Sequence, residues 1–174
     1  MRYRFIVVFA LVLVPSSLIA GERLTPRPLD PVAIEAFARA QAQSAVVRSL
    51  VAALESSNVI VHIVSARDLP LGIGGTTRFV TSRGGYRYVR ITIAADLSKS
   101  NRTAILGHEL QHACEIAASG ADDVESLREL FEKEGHRAGE FFETHGAAKI
   151  ESLIRTELRL RATLQAEPVV KFDH

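Results

Sequence analysis

The residues that decide this fold are His108-Glu109-Leu110-Gln111-His112. On an α-helix, residues four apart lie about 40° apart around the axis and about 6 Å along it. His108 and His112 would therefore project from one side of a helix, where their ring nitrogens can meet on one tetrahedral metal ion. Glu109 would lie a step further round, where its carboxylate reaches a metal-bound water rather than the metal. The pattern predicts a zinc site with a base beside it.

The residues around the motif favour the helix that it needs. Residues 113–118 are rich in good helix formers. Ser100 or Asn101 suits the N-cap position, and Gly120 is a stop signal. The alternative is a pair of surface histidines on an ordinary helix, but the helical context favours the metal site.

Two residues inside this predicted helix stand out. Gly107 costs about 1 kcal/mol against Ala in a helix interior, which suggests a close approach of the backbone just ahead of His108. Cys114 is the one cysteine of the chain, so an intrachain disulfide is excluded. It would lie about 200° round the helix from His112, and we expect it to be a buried small hydrophobic residue rather than a metal ligand.

Length and charge narrow the class of protein. The chain has 174 residues and a formal net charge of +1. That length suits a single domain with its own core. The charge balance gives no support for a nucleic-acid partner.

The N-terminal segment has the pattern of an export signal. Arg2 and Arg4 are basic, residues 5–14 are an unbroken apolar run, and Ala20 ends a short segment after it. The run is shorter than the roughly 20 apolar residues that span a bilayer. We therefore expect a signal peptide over residues 1–20 and an exported protein, with no stable membrane insertion after signal removal. The alternative is an uncleaved membrane anchor.

The rest of the chain divides into a Pro-rich leader over residues 21–31, one domain over residues 32–167 and a flexible tail over residues 168–174. Asp30-Pro31 predicts the start of one long helix, because Asp suits the N-cap and Pro the first helical position. That helix is expected to end just after Leu54.

Three strands are predicted between this helix and the motif. The stretch Val59–Val64 is rich in β-branched residues. The stretches Thr77–Thr81 and Tyr86–Ala94 flank a turn over residues 82–85, which indicates a hairpin.

Helices are predicted after the motif. Asp122 with Glu125 resembles a capping arrangement for a short helix that Gly135 closes. A final helix is expected from about Phe141 to Ala166. Its charged positions are interpreted as a solvated face, and they are Glu151, Arg155, Glu157, Arg159 and Arg161.

This order of elements resembles a minimal zincin metallopeptidase of the gluzincin type. The resemblance covers about Val59 to Leu158, and His108, Glu109 and His112 are its motif matches. It implies a zincin-like α+β fold, in which an N-terminal helix and a small, three-stranded, mostly antiparallel sheet pack on the active-site helix. A C-terminal helical subdomain would follow.

The activity that the resemblance implies is hydrolysis of a peptide or protein substrate, with Glu109 activating a zinc-bound water. The extended metzincin motif is absent, because Glu115 and Ala118 stand where its Gly and third His would be. The strand Tyr86–Ala94 is expected to hold an extended peptide by β-addition.

A third zinc ligand is required, and Glu143 is our prediction. It would lie on the final helix, where small residues from Gly146 to Ala148 allow close approach to the motif helix. Glu132 matches the spacing in thermolysin-like gluzincins. Glu115 shares the face of the histidines but lies too far along the axis, so it suits a supporting or an exposed position. The other candidates are Glu125, Glu129 and Glu140.

Several alternatives stay open at this point. Each of these glutamates by itself is more often a surface charge. Four residues are possible donors to a transition-state oxyanion, namely His136, His145, Tyr86 and Tyr88. His62 lies in an apolar strand, where a packed histidine is expected. The rival to an enzyme is a non-catalytic exported domain that contains a structural zinc or binds a peptide.

Overall fold

The computed structural model describes residues 25–138 and 141–166. In these residues the chain is α+β, with five helices, a four-stranded mixed sheet and a two-stranded hairpin. The predicted signal peptide over residues 1–20 and the predicted tail over residues 168–174 lie outside the described residues. None of the described helices combines the length and the apolar character that crossing a bilayer requires.

Two helices begin the fold, α1 (Pro31–Gln43) and α2 (Ala45–Glu55). The predicted cap is confirmed, since the Asp30 carboxylate accepts the first free N–H groups of α1 at 3.0 and 2.9 Å. The prediction of one long helix is wrong. Ser44 is extended, and its hydroxyl accepts a backbone N–H of α2 at 3.1 Å while donating to Glu157. This capping interrupts the helix without a glycine or proline.

The main sheet contains four strands in the order β1-β2-β4-β3. They are β1 (Arg27–Pro28), β2 (Val59–Ala66), β3 (Gly75–Arg83) and β4 (Tyr86–Ala94). The predicted hairpin between β3 and β4 is confirmed. Its turn uses Gly84 and Gly85 at φ 61° and 80°, values that other residues rarely adopt.

The expectation of three mostly antiparallel strands is wrong in two respects. β4 lies in the centre and pairs in parallel with β2, so two of the three pairings in the sheet are parallel. The fourth strand comes from the Pro-rich leader, where Pro28 lies beside Ile63. Proline removes a donor but is tolerated on an edge strand, and Leu29 N–H still donates to Ile63 C=O at 2.9 Å.

The second half of the chain is a helical layer with a small hairpin in it. Its elements are α3 (Lys99–Ser119), α4 (Val124–Glu134), β5 (Gly135–Ala138), β6 (Phe141–Thr144) and α5 (His145–Ala166). The last helix was predicted to start at about Phe141, and that prediction is wrong, because Phe141–Thr144 is strand β6, which pairs with β5. Gly135 ends α4 as expected.

The caps of α3 and α4 differ from the expected residues by one to three positions. Ser98, rather than Ser100 or Asn101, caps α3, and Asp123, rather than Asp122, caps α4. The C-terminal end of α3 is as predicted, because Gly120 adopts a left-handed conformation with φ 71°.

The core lies between one face of the sheet and the helices, with α3 running through it. Its fully buried side chains include Val61 and Ile63 of β2, Ile91 of β4, Leu110 of α3 and Ile154 of α5. Cys114 is half-buried against this core, as expected, and burial raises the pKa of its thiol to about 11. Neighbours on several sides therefore fix the position of the motif helix.

The close approach expected at Gly107 is confirmed, although the neighbour is a side chain. A Cβ atom on Gly107 would lie 2.0 Å from Ile154 Cδ1, which is impossible without movement. The glycine therefore allows α5 to pack directly on α3, one residue ahead of His108.

We expect Gly107→Ala to lower the free energy of unfolding by about 1–3 kcal/mol, because overpacking outweighs the better helix propensity of Ala. Ile154→Val removes the clashing Cδ1 atom. In that background Gly107→Ala should become neutral or stabilising, which urea unfolding of all four proteins measures. An equal loss in both backgrounds would show that this contact is not the cause.

Candidate metal centre

The motif helix α3 forms the floor of a cleft of about 730 Å³. Residues 72–79, from the start of β3 and the loop before it, line one side, and Leu127, Arg128 and Phe131 of α4 line the other. His108 and His112 both face this cleft, although each side chain is largely buried. The cleft thus gives a ligand access to the two histidines.

The two imidazole rings are oriented by carboxylates. His108 Nδ1–H donates to Glu151 Oε2 at 3.1 Å, and His112 Nδ1–H donates to Glu115 Oε2 at 3.0 Å. A carboxylate acceptor selects the tautomer with its proton on Nδ1. The two Nε2 atoms then present lone pairs to each other across 3.2 Å. Such an arrangement is favourable only with a proton or a cation between the two nitrogens.

Glu143 supplies a third ligand atom. Its Oε1 lies 3.3 Å from His108 Nε2, and this oxygen is buried without a hydrogen-bond partner in the described part of the chain. The ligand atoms of His108, His112 and Glu143 all lie within 4.8 Å of one another. Two ligands of a tetrahedral zinc ion are expected about 3.3 Å apart. The three side chains therefore fit a metal ion.

Glu143 reaches the site from β6, not from the predicted helix. Glu143 pairs with His136 of β5. The next residue, Thr144, begins the change from strand to helix, because its hydroxyl accepts the Ala147 N–H of α5 at 3.0 Å. The sequence Phe141-Phe142-Glu143-Thr144 is aromatic and β-branched enough to favour a strand. Small residues were predicted to let the last helix approach the motif helix. Gly146 does so, because a Cβ atom on it would lie 2.6 Å from a carboxylate oxygen of Glu115 on α3.

The structure separates Glu143 from the other candidate glutamates. Glu132 is exposed and forms an ion pair with Arg128 at 3.0 Å. Glu125 and Glu129 are also exposed. Glu140 lies outside the described residues.

Glu115 occupies the supporting position rather than an exposed one. Besides His112, its carboxylate accepts the Thr144 hydroxyl at 2.8 Å and the Gln111 amide at 3.2 Å. Burial raises the pKa of Glu115, but these three hydrogen bonds outweigh it and the net pKa is lowered. Glu115 therefore holds His112 as a carboxylate.

Glu109 lies beside the three ligands, nearly fully buried. The Thr77 hydroxyl donates to its Oε2 at 2.7 Å. A Cβ on Gly75 would lie 2.8 Å from its Oε1, so the glycine makes room for the carboxylate against β3. Burial raises the pKa of Glu109, and the opposing effects of His112 and Thr77 do not cancel this.

Negative charge surrounds the two histidines. Burial lowers the pKa of His112, but the hydrogen bond to Glu115 and the charges of Glu109 and Glu143 outweigh it, so its net pKa is raised. The carboxylates therefore favour a positive charge at this position. A dication held by the same side chains would meet that demand.

Glu151 is a site residue that the sequence interpretation missed. It was placed on a solvated face, yet its side chain is 23% exposed and contacts His108. The spacing Ala147, Glu151, Ile154, Leu158 is that of a buried helical stripe. Both Ala147 and Ile154 are fully buried, so this periodicity was the available signal.

We expect Glu151→Ala to weaken metal binding by about 10–100-fold, the usual effect of losing a carboxylate that orients a ligand histidine. Arg155 donates hydrogen bonds to Glu151 Oε1 at 2.9 Å and to Asn101 Oδ1 at 2.8 Å, so Glu151 is held by an arginine that is itself anchored on α3. Competition with a chromophoric chelator measures the affinity. Glu132→Ala, which removes an exposed glutamate, is the matched control and should change nothing. Equal affinities for both variants would contradict this role of Glu151.

The three proposed oxyanion donors whose side chains the structure describes do not line this cleft. Tyr86 lines a separate cleft near the β3–β4 turn, and Tyr88 lies beside half-buried His62, with ring centroids 6.4 Å apart. His145 is exposed and does not line the metal cleft, and the side chain of His136 lies outside what the structure describes. Among the described residues that line it, the cationic ones are Arg78 and Arg128.

No family model, no curated protein and no solved structure matches this chain. The resemblance to zincins is therefore an expectation from the HExxH motif alone. What this site does is inferred from its own geometry.

Proposed function

We propose that this protein is a zinc-dependent metallopeptidase of the gluzincin type, with His108, His112 and Glu143 as zinc ligands. The observation that carries the proposal is the convergence of these three ligand atoms in a cleft, next to the buried carboxylate of Glu109. Two imidazoles and one carboxylate are a donor set of catalytic zinc sites.

The number of ligands favours a catalytic site over a structural one. A structural zinc normally has four protein ligands, whereas a catalytic zinc has three and an open position. Among the described residues the group has three members. Glu115, the candidate for a fourth ligand, is already engaged with His112 Nδ1 and Thr144.

Zinc would supply Lewis acidity, polarising the scissile carbonyl and acidifying a water molecule. The Glu109 carboxylate would accept the proton that a water molecule loses as the water oxygen attacks the carbonyl carbon. It would then give the proton to the amide nitrogen as the C–N bond breaks, leaving an amine and a carboxylic acid, which ionises. The hydrogen bond from the Thr77 hydroxyl would hold the Glu109 carboxylate in place for both transfers.

One edge strand of the main sheet lies beside the candidate site, where the backbone of an extended peptide substrate could pair with it. Tyr86–Ala94, the strand expected to bind a peptide by β-addition, is β4, which is paired on both sides and has no free edge. β3 is the edge strand, borders the cleft and contacts Glu109 through Thr77. An extended peptide would therefore add to the outer edge of β3.

Export is part of the same proposal. The basic start, the short apolar run and Ala20 support a cleaved signal peptide over residues 1–20. A peptide or protein outside the cytoplasm would then be the substrate.

The experiment for this function combines metal analysis with a peptide-library digest. We expect about one zinc ion per chain, cleavage of library peptides, loss of cleavage with a chelator and recovery on adding zinc. Zinc binding without any cleavage would instead support a non-catalytic zinc or peptide-binding domain. A chain that binds no zinc would overturn the proposal.

A further inference from the structure

A row of basic side chains crosses the whole main sheet. Arg27 of β1 lies opposite His62 of β2, His62 opposite Arg90 of β4, and Arg90 opposite Arg78 of β3. One residue comes from each strand, and neighbouring strands lie about 4.8 Å apart, so the row is about 14 Å long. These four residues are called the basic row.

The basic row lies on the face of the sheet opposite the core. Side chains alternate between faces along a strand, and the neighbours Val61, Ile63, Val89 and Ile91 are fully buried in the core. Arg78 and Arg90 are exposed. The positions beside the row on this face are uncharged, and they are Ile60, Tyr88 and Thr81 on one side and Val64, Thr92 and Thr76 on the other.

No carboxylate neutralises the basic row within the described residues. The side chains of its three arginines form no ion pair and no hydrogen bond there, although like charges directly opposite each other destabilise a sheet. Burial and the charges of Arg27 and Arg90 lower the pKa of His62. The row is thus a concentrated positive charge that an anionic ligand would relieve.

One end of the basic row meets the candidate active site. Arg78 belongs to β3 and borders the cleft that contains His108 and His112, although its side chain lies on the face of the sheet opposite that of Thr77, which contacts Glu109. A polypeptide that leaves the cleft past the edge of β3 would therefore meet Arg78 first and could continue over Arg90.

We propose that the basic row is an exosite for an acidic segment of the polypeptide substrate. This inference rests on the proposed peptidase function and names the class of substrate. Arginine binds carboxylates through paired, charge-assisted hydrogen bonds, so Asp and Glu side chains flanking the scissile site are the expected partners. Cleavage would then favour proteins with an acidic stretch near the cut.

The shape of the face favours an acidic polypeptide over other polyanions. A bilayer would contact the whole face, yet the positions flanking the row are uncharged. Single-stranded nucleic acid normally stacks on several aromatic rings, whereas Tyr88 is the one aromatic residue at these flanking positions. A row one residue wide that starts at a peptide cleft suits one extended chain.

Binding without turnover provides the test. Fluorescence anisotropy would compare a peptide that carries a tail of five glutamates with the same peptide carrying five glutamines, using zinc-loaded Glu109→Gln protein. We expect the acidic peptide to bind at least about tenfold tighter, with an advantage that shrinks as salt is added. Adding Arg78→Gln and Arg90→Gln should remove the advantage.

The matched control removes the same charge elsewhere. Arg48 of α2 and Arg159 of α5 are exposed residues outside the sheet, and replacing both with Gln should leave the preference unchanged. An acidic preference that survives loss of Arg78 and Arg90, or that is lost equally in the control, would overturn the exosite. So would equal or tighter binding of a single-stranded oligonucleotide or of phosphatidylglycerol vesicles.

The two proposals fail in different ways. Acidic preference in binding without any peptide cleavage would leave the basic row as a binding surface and contradict the peptidase. Chelator-sensitive cleavage with no acidic preference would contradict the exosite alone. In an active enzyme, loss of Arg78 and Arg90 should raise KM for acidic substrates at least about fivefold and leave kcat unchanged.

Discussion

Replacing Glu109 with Gln should leave zinc bound and lower kcat about 10²–10⁴-fold, the range expected for loss of a general base. Gln has nearly the same shape and can still accept the hydrogen bond from Thr77, so the cleft should keep its geometry. It cannot take a proton from water. Glu109 is absent from the three converging ligands, so zinc should remain.

The measurement is turnover of a peptide found in the library digest, with zinc content determined on the same sample. Glu132→Gln, an isosteric change on the exposed face of α4, is the control and should retain full activity. Glu109→Gln protein that contains zinc and cleaves as fast as the parent would contradict the mechanism.

Replacing Glu143 with Ala should weaken zinc binding more than about 100-fold. Losing a carboxylate that only orients a ligand usually costs about 10–100-fold, and a direct ligand should cost more. Glu143 Oε1 is also a buried oxygen with no hydrogen-bond partner among the described residues, so its removal leaves no internal group unpaired. The fold should therefore tolerate the change.

Chelator competition across a set of variants ranks the glutamates. We expect Glu143→Ala to lose the most affinity, Glu115→Ala to lose an intermediate amount because Glu115 orients His112, and Glu132→Ala to lose none. Unfolding of each variant, followed by circular dichroism, gives a midpoint that shows whether the fold is retained, and so separates loss of metal from loss of fold. A Glu132 variant that loses zinc while the Glu143 variant keeps it would reverse the assignment of the third ligand.

The motif helix was predictable because its signals are local. Helical spacing alone brings His108 and His112 together, and Gly120 marks the end of α3 through its left-handed conformation. The glycine at position 107 also indicated a close neighbour. Only the structure identifies that neighbour as Ile154, because the contact joins two helices far apart in sequence.

The sheet was less predictable because strand order depends on long-range pairing. The hairpin signal over residues 82–85 correctly joined β3 to β4. The local sequence does not indicate that β2 pairs with β4 rather than with β3. It also does not indicate that two residues of the Pro-rich leader form an edge strand. At the break between α1 and α2, Ser44 also contacts a distant residue, Glu157, which the local sequence does not indicate.

The candidate site was predicted only in part from the sequence. Glu143 was selected from the sequence, but for a helical position that it does not have, since it lies on β6. Glu151 was missed because charged residues on a helix are usually solvated, although its place in the buried stripe of α5 was readable. Supporting carboxylates are specified by tertiary contacts, which the motif alone does not contain.

A crystal structure of the zinc-loaded protein, with anomalous data collected above and below the zinc edge, tests the central claim most directly. The account predicts one anomalous peak in the cleft, about 2.0–2.2 Å from His108 Nε2, His112 Nε2 and a carboxylate oxygen of Glu143, with Glu109 outside bonding distance. No peak between the two histidines, or a zinc ion held by other residues, would contradict it.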